Sequence, residues 1–81
     1  NMDKDVIIKK INHFLIDEFE VNEDELQPDA DLKKTLELDS LDFVDLVVAI
    51  ESNFGVKLDG EDFVEVKTLQ DFYDLIERRL S

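Results

Sequence analysis

The segment from Asp39 to Gly55 constrains the fold of this chain more than any other stretch of its sequence. Its apolar residues, Leu41, Phe43, Val44, Leu46, Val47, Val48, Ile50 and Phe54, recur at helical rather than strand spacing. Asp39 is a good N-cap, Asp42 falls at the third helical position in an arrangement close to a capping box, and Gly55 stands where helices commonly end. With each residue turning the helix by roughly 100°, Phe43, Leu46, Val47, Ile50 and Phe54 gather on one side, and Leu41, Val44 and Val48 on the other. A small bundle can bury one such stripe. The first is therefore predicted to be core, and the second to stay at the surface inside an acidic border of Asp42, Asp45 and Glu51.

The rest of the chain is consistent with helices around that segment. From Asp3 to Phe19, the residues Ile7, Ile11, Phe14, Leu15 and Phe19 form a helical stripe, with Lys4, Lys9, Lys10 and Asp17 outside it. His13, the one histidine, lies off the stripe and reads as a surface or edge residue. A short turn is expected near Gly60 to Val64, and Thr68 is a candidate N-cap for a last helix with Leu69, Phe72, Tyr73, Ile76 and Leu80 on one face. Residues 20–38 read as too irregular for an element, since Asn22, the sole proline Pro28 and several acids follow in short order. Val21, Leu26, Leu32, Leu36 and Leu38 nevertheless suggest a loop pinned to the core, and a loop of that length usually serves a function. Here it delivers the chain to Ser40, which is expected in the exposed first turn of the second helix. The predicted architecture is all-α. It is one domain over residues 1–81, a small four-helix bundle with one short helix and a long loop between helices one and two. Asn1, which precedes the only methionine, Met2, is expected not to belong to the native chain.

Charge narrows the partners. Nine basic residues stand against 22 acidic ones, a formal net charge of -13, which repels nucleic acid backbones and anionic membrane surfaces and favours basic proteins. No cysteine is present, so disulfides and thiol chemistry of the chain's own are excluded. No segment approaches the run of about 20 apolar residues that a membrane span needs, so no membrane insertion is expected. The expected location is the cytoplasm and the expected state a monomer.

The residues Leu38-Asp39-Ser40-Leu41-Asp42, followed by the acidic helix from Phe43 to Phe54, resemble the acyl carrier proteins, in which a D-S-L motif opens the second helix. The resemblance extends from Val6 to Leu80, because the order of elements also matches. It implies that Ser40 carries covalent 4′-phosphopantetheine, donated by coenzyme A through a phosphopantetheinyl transferase. It further implies that the second helix is the recognition element, with matched positions Asp39, Leu41, Asp42, Val44, Asp45, Val48 and Glu51. The partners would be acyl-transferring and chain-elongating enzymes with basic docking patches. An interior lined by Phe43, Leu46, Val47, Ile50, Phe63, Val66 and Ile76 would receive the acyl chain. Two positions depart from the family pattern: many members have glycine where Glu37 stands and a smaller residue where Leu38 stands. An approach to Ser40 without glycine is expected to avoid positive φ.

An enzyme is not expected. A serine nucleophile needs a base, His13 is the only histidine, and Ser40 lacks the G-x-S-x-G turn. Zinc ligand sets are absent, and Asp29 and Asp31 lack the glycine and glutamate of an EF-hand, so no metal site is expected. An aminoacyl, peptidyl or polyketide carrier and an unmodified acidic interaction module both remain open. The latter would use the same face of the second helix without any arm.

Overall fold

In the computed structural model, which describes residues 3–81, each α-helix starts behind a polar N-cap residue; Asn1 and Met2 lie outside the described residues. Helix α1 spans Lys4–Phe19 behind Asp3 at its N-cap and buries Ile7, Ile11, Phe14 and Leu15. Helix α3, the second helix of the sequence reading, spans Ser40–Phe54 and buries Leu46 and Ile50. Helix α4 spans Leu69–Leu80, and at its start Thr68 and Asp71 form a reciprocal capping box. A 3-10 turn at Gly60–Phe63 sits where the short turn was expected and is opened by a second such box between Asp59 and Asp62. Among the described residues the only β pairing is an isolated bridge between Asp31 and Thr68.

The stretch over residues 20–38 is more ordered than its composition suggested. A 3-10 turn forms at Glu23–Glu25, closed by a capping box between Asn22 and Glu25. A five-residue helix, α2, forms at Leu32–Leu36 behind Asp31, whose carboxylate accepts from the Lys34 backbone N–H at 2.9 Å. An apolar period cannot show itself in five residues; the interpretable signals are the cap and the pair Leu32 and Leu36, both buried one turn apart. The pinning, in turn, is made by backbone as well as apolar side chains. Leu32 N–H donates to Lys67 O, Leu69 N–H to Ala30 O and Gln70 N–H to Pro28 O, each at 2.9 Å, so the segment before α2 is tied to the start of α4.

The core joins all of these elements. Ile11, Leu15, Leu46, Ile50, Phe72 and Ile76 are fully excluded from solvent, each stabilising the fold by about 1.5–3 kcal/mol relative to an exposed side chain. Phe43, Val47 and Phe54 of the inner α3 stripe are half-buried and pack against this cluster. Edge-to-face ring contacts join Phe43 to Phe63 at 5.0 Å and Phe14 to Phe54 at 6.4 Å. These contacts fix α3 against both α1 and the Gly60–Phe63 turn. At the far end of α3, Lys10 lies over the Phe54 ring and donates to Asn53 O at 3.2 Å, satisfying one of the carbonyls a helix end leaves open. Tyr73, buried on α4, donates its hydroxyl to Asn12 Oδ1 on α1, and burial raises its pKa above the ordinary value.

Candidate functional site at the start of helix α3

Ser40 is the first helical residue of α3 and is exposed. Two local motifs hold it there. Downstream, Asp39 Oδ1 accepts from the backbone N–H groups of Leu41 at 3.0 Å and Asp42 at 2.9 Å, and Asp39 O begins the helical ladder by accepting from Phe43 N–H at 3.0 Å. The cap is one-sided: a reciprocal bond from Asp42 to the Asp39 backbone does not form, so the sequence's near-match to a capping box is realised only in half.

Upstream, α2 closes in a Schellman motif. Leu38 N–H donates to Lys33 O at 3.1 Å and Glu37 N–H to Lys34 O at 3.3 Å, with Glu37 at φ 50°, ψ 48°. This overturns the expectation of an approach without positive φ. The reason is physical: the two bonds that satisfy the last α2 carbonyls require a left-handed residue at position 37, whichever side chain occupies it. Glu20 does the same after α1, at φ 56°, and Gly55 after α3, at φ 70°. Of the three, only the last is a residue for which that conformation is free of strain.

Neither motif uses the Ser40 side chain, and among the described residues no hydrogen bond engages its hydroxyl. An exposed, unengaged hydroxyl on a capped first turn is what a covalent phosphoester arm needs: an accessible oxygen and a rigid base. On that test Ser40 fits 4′-phosphopantetheine. Two acids beside it, Asp39 and Asp42, oppose the attraction of a helix N-terminus for phosphate, so a phosphate group placed here would have to be held by a covalent bond rather than by the helix dipole.

The outer stripe of α3 lies where the sequence placed it. Leu41 is 75% exposed, Val44 56% and Val48 57%, whereas Leu46 and Ile50 of the inner stripe are fully buried. Asp39, Asp45 and Glu51 are exposed around this strip and Asp42 is half-buried. Helix α3 itself carries no lysine or arginine. The sequence reading missed Val64, which is also strongly exposed just past the 3-10 turn whose Phe63 contacts Phe43. Its signal was weak, since in Phe63-Val64 nothing in the pattern says which of two adjacent apolar residues faces out.

The residues expected to line an apolar interior belong to the core: Leu46, Ile50, Phe63, Val66 and Ile76 are buried and Phe43 and Val47 half-buried. An open depression lies elsewhere and is polar, lined by Asp62, Glu65, Val66, Asp71, Asp74 and Arg78. Among the described residues no group of three or more His, Cys, Asp or Glu side chains is arranged to hold a metal ion. No helix there is long and apolar enough to cross a membrane.

Comparison with known proteins covers most of the chain. Residues 10–76 match the family described as "Phosphopantetheine attachment site", a span that includes Ser40. Curated relatives named acyl carrier protein match over nearly their whole length. That of Petrotoga mobilis is 36% identical over 80 residues, covering 99% of this chain and 94% of its own. That of Coprothermobacter proteolyticus is 37% identical, covering 98% and 96%. The Thermotoga maritima protein is 36% identical, covering 96% of each chain.

Proposed function

The chain belongs to the acyl carrier protein family, whose prosthetic group is 4′-phosphopantetheine, and from that premise we propose that Ser40 takes the group and that the chain carries acyl groups between the enzymes of fatty-acid or polyketide type synthesis. The observation that carries this reading is the exposed, unengaged Ser40 hydroxyl on a first turn whose backbone donors Asp39 already satisfies. In the modification step, Ser40 Oγ forms a bond to the phosphorus of coenzyme A that bears the pantetheine. The pyrophosphate P–O bond breaks, adenosine 3′,5′-bisphosphate leaves, and the hydroxyl proton passes to a base of the transferase. When bound, the group supplies a terminal thiol that holds acyl cargo as a thioester, which a chain without cysteine cannot do itself.

The chain's own residues then have three tasks, none of which makes it an enzyme. Asp39 and the Schellman closure of α2 fix the position from which the arm departs. Leu41, Val44 and Val48, bordered by Asp42, Asp45 and Glu51, dock partner enzymes. Charge steers a basic partner to this strip and apolar contact retains it. By likeness to the family, an acyl chain would insert among the core residues of α3 and α4. The expected setting is a monomer in the cytoplasm.

Intact mass measured after incubation with coenzyme A, magnesium and a broad-specificity phosphopantetheinyl transferase tests the assignment. The wild type is expected to gain one phosphopantetheine and Ser40→Ala none. A folded wild type that gains nothing beside an active transferase would support an unmodified acidic module instead.

A further inference from the structure

Three aromatic rings from three elements stand in a column that begins on α3. Phe43 of α3 meets Phe63 of the Gly60–Phe63 turn edge-on at 5.0 Å and 77°, and Phe63 meets Phe72 of α4 at 5.9 Å and 33°. Phe63 and Phe72 are buried, and Phe43, half-buried, closes the column toward the surface. Phe43 lies three residues after Ser40 on the same helix, and residues at that spacing are neighbours on a helix surface. An acyl chain folding back from Ser40 between α3 and the turn therefore meets the Phe43 ring first, then Phe63 and Phe72. In a close-packed interior such a column leaves a methylene chain no space unless a ring turns aside, and a turned ring loses its ring contacts. The seam between α1 and α3 is held by the Phe14–Phe54 pair at 6.4 Å, with Lys10 over the Phe54 ring. The open depression against the turn and α4 gives no apolar alternative, since apart from Val66 its lining residues, Asp62, Glu65, Asp71, Asp74 and Arg78, are all charged.

We propose that the Phe43–Phe63–Phe72 column is a plug that sets cargo specificity: it keeps long acyl chains out of the interior and suits this carrier to short acyl groups. This rests on the assignment of Ser40 above, and it narrows what likeness to the family implies for the core. Room for a chain comes from small side chains or from displaced ones, and here each of three elements contributes a phenyl ring to the way in. A chain kept outside stays in water, where every further methylene adds to the cost of hydrating it, so a plugged carrier favours an acyl group of few carbons. Selection by chain length is then made by the carrier, through a clash with the longer cargo, as well as by the enzymes it meets.

The test loads Ser40 with butyryl- or octanoyl-phosphopantetheine from the corresponding coenzyme A thioesters, using the broad-specificity transferase, in the wild type, Phe43→Ala, Phe63→Leu and Phe54→Ala. Phe54→Ala loosens the seam between α1 and α3 and is the control for loosening in general. The readouts are Tm relative to the holo form of the same protein, the backbone amide NMR shifts of Leu46, Ile50 and Phe72, and the rate of cleavage by hydroxylamine, which takes the acyl group as a hydroxamic acid and frees the thiol. In the wild type the octanoyl form is expected to melt with the holo form, to be cleaved as fast as the butyryl form and to leave those shifts unchanged. In Phe43→Ala and Phe63→Leu the octanoyl form should gain stability over the holo form and be cleaved about five- to tenfold more slowly, because the rate scales with the fraction of time the thioester is outside. Phe54→Ala should behave as the wild type. Protection or core shift changes in the octanoyl wild type overturn the proposal, and that readout needs no variant to fold. Folded Phe43→Ala and Phe63→Leu proteins without protection overturn it too, as does equal protection in Phe54→Ala. Failure of the underlying assignment looks different, because the wild type would then take up no acyl-phosphopantetheine from either thioester.

Discussion

Replacing Glu37 by glycine should make the protein more stable, although it removes a side chain and adds freedom to the unfolded chain. At φ 50° the residue sits where a Cβ meets the following carbonyl, which costs roughly 1–2 kcal/mol for an L-residue. Glycine relieves that strain but returns about 0.4–1 kcal/mol through the greater entropy of its unfolded state, so the backbone gain is about 0.5–1 kcal/mol. The charge contributes separately. Glu37 places an anion just past the C-terminus of α2, in a chain of net charge -13, and removing it should help by about 0.3–1 kcal/mol. Glu37→Gln isolates the second effect, and the step from Gln to Gly isolates the first. For a domain of this size the backbone step corresponds to a rise in Tm of about 2–8 °C. Glu37→Ala keeps the Cβ and should track Gln. The assay is reversible urea and thermal unfolding of all three variants, with Glu20→Gly against Glu20→Gln as an independent site at φ 56°. If glycine is no more stable than glutamine at both positions, the strain argument is wrong.

Further consequences concern the two faces of α3 and the response to pH. Leu46→Ala should cost about 2–5 kcal/mol of unfolding free energy, whereas Val48→Ala should leave stability within about 0.5 kcal/mol and weaken the affinity of a basic partner enzyme for the holo-protein, measured by titration calorimetry. Asp71 accepts from the backbone N–H groups of Thr68 and Lys67, and these bonds hold its pKa below the ordinary 3.8. Its contribution to stability is thus present above the unfolded value and lost as pH falls through the lower folded value. Asp71→Asn should be less stable at neutral pH, and urea unfolding curves of the two proteins should draw together on acidification below about pH 4. At the alkaline end the sign reverses for Tyr73, whose raised pKa makes its contribution complete below 10.0 and lost above. Tyr73→Phe should therefore flatten the loss of stability above pH 10.0.

How much of this was legible in the sequence depended on how long each pattern runs. Helices α1, α3 and α4 each span several turns, so Ile7, Ile11, Phe14 and Leu15, or Leu46 and Ile50, repeat often enough to show a period and an inward face. Caps were equally legible at Asp39 and Thr68, because a single side chain meets a local backbone need. Helix α2 was not, since five residues hold little more than one turn and its order depends on backbone bonds to residues 67–70, far off in sequence. The positive φ at Glu37 was misread for a related reason. Side-chain identity states a preference, while the closure of α2 imposes a requirement, and here the requirement prevailed. The site divides in the same way: the exposed strip of Leu41, Val44 and Val48 follows from helical geometry, but the free Ser40 hydroxyl emerges only once every neighbouring hydrogen bond has been placed.

Ser40, and no other hydroxyl, is the expected point of attachment, and fragmentation mass spectrometry can locate the added mass. After transfer from coenzyme A, fragmentation of the intact protein or of the peptide spanning residues 35–57 should place a single phosphopantetheine on Ser40, between unmodified Asp39 and Leu41. It should be absent from Ser40→Ala, with Ser52 and Ser81 unmodified in both proteins. A group found on Ser52, Ser81 or a threonine, or a Ser40→Ala protein that still gains the mass, would contradict the account.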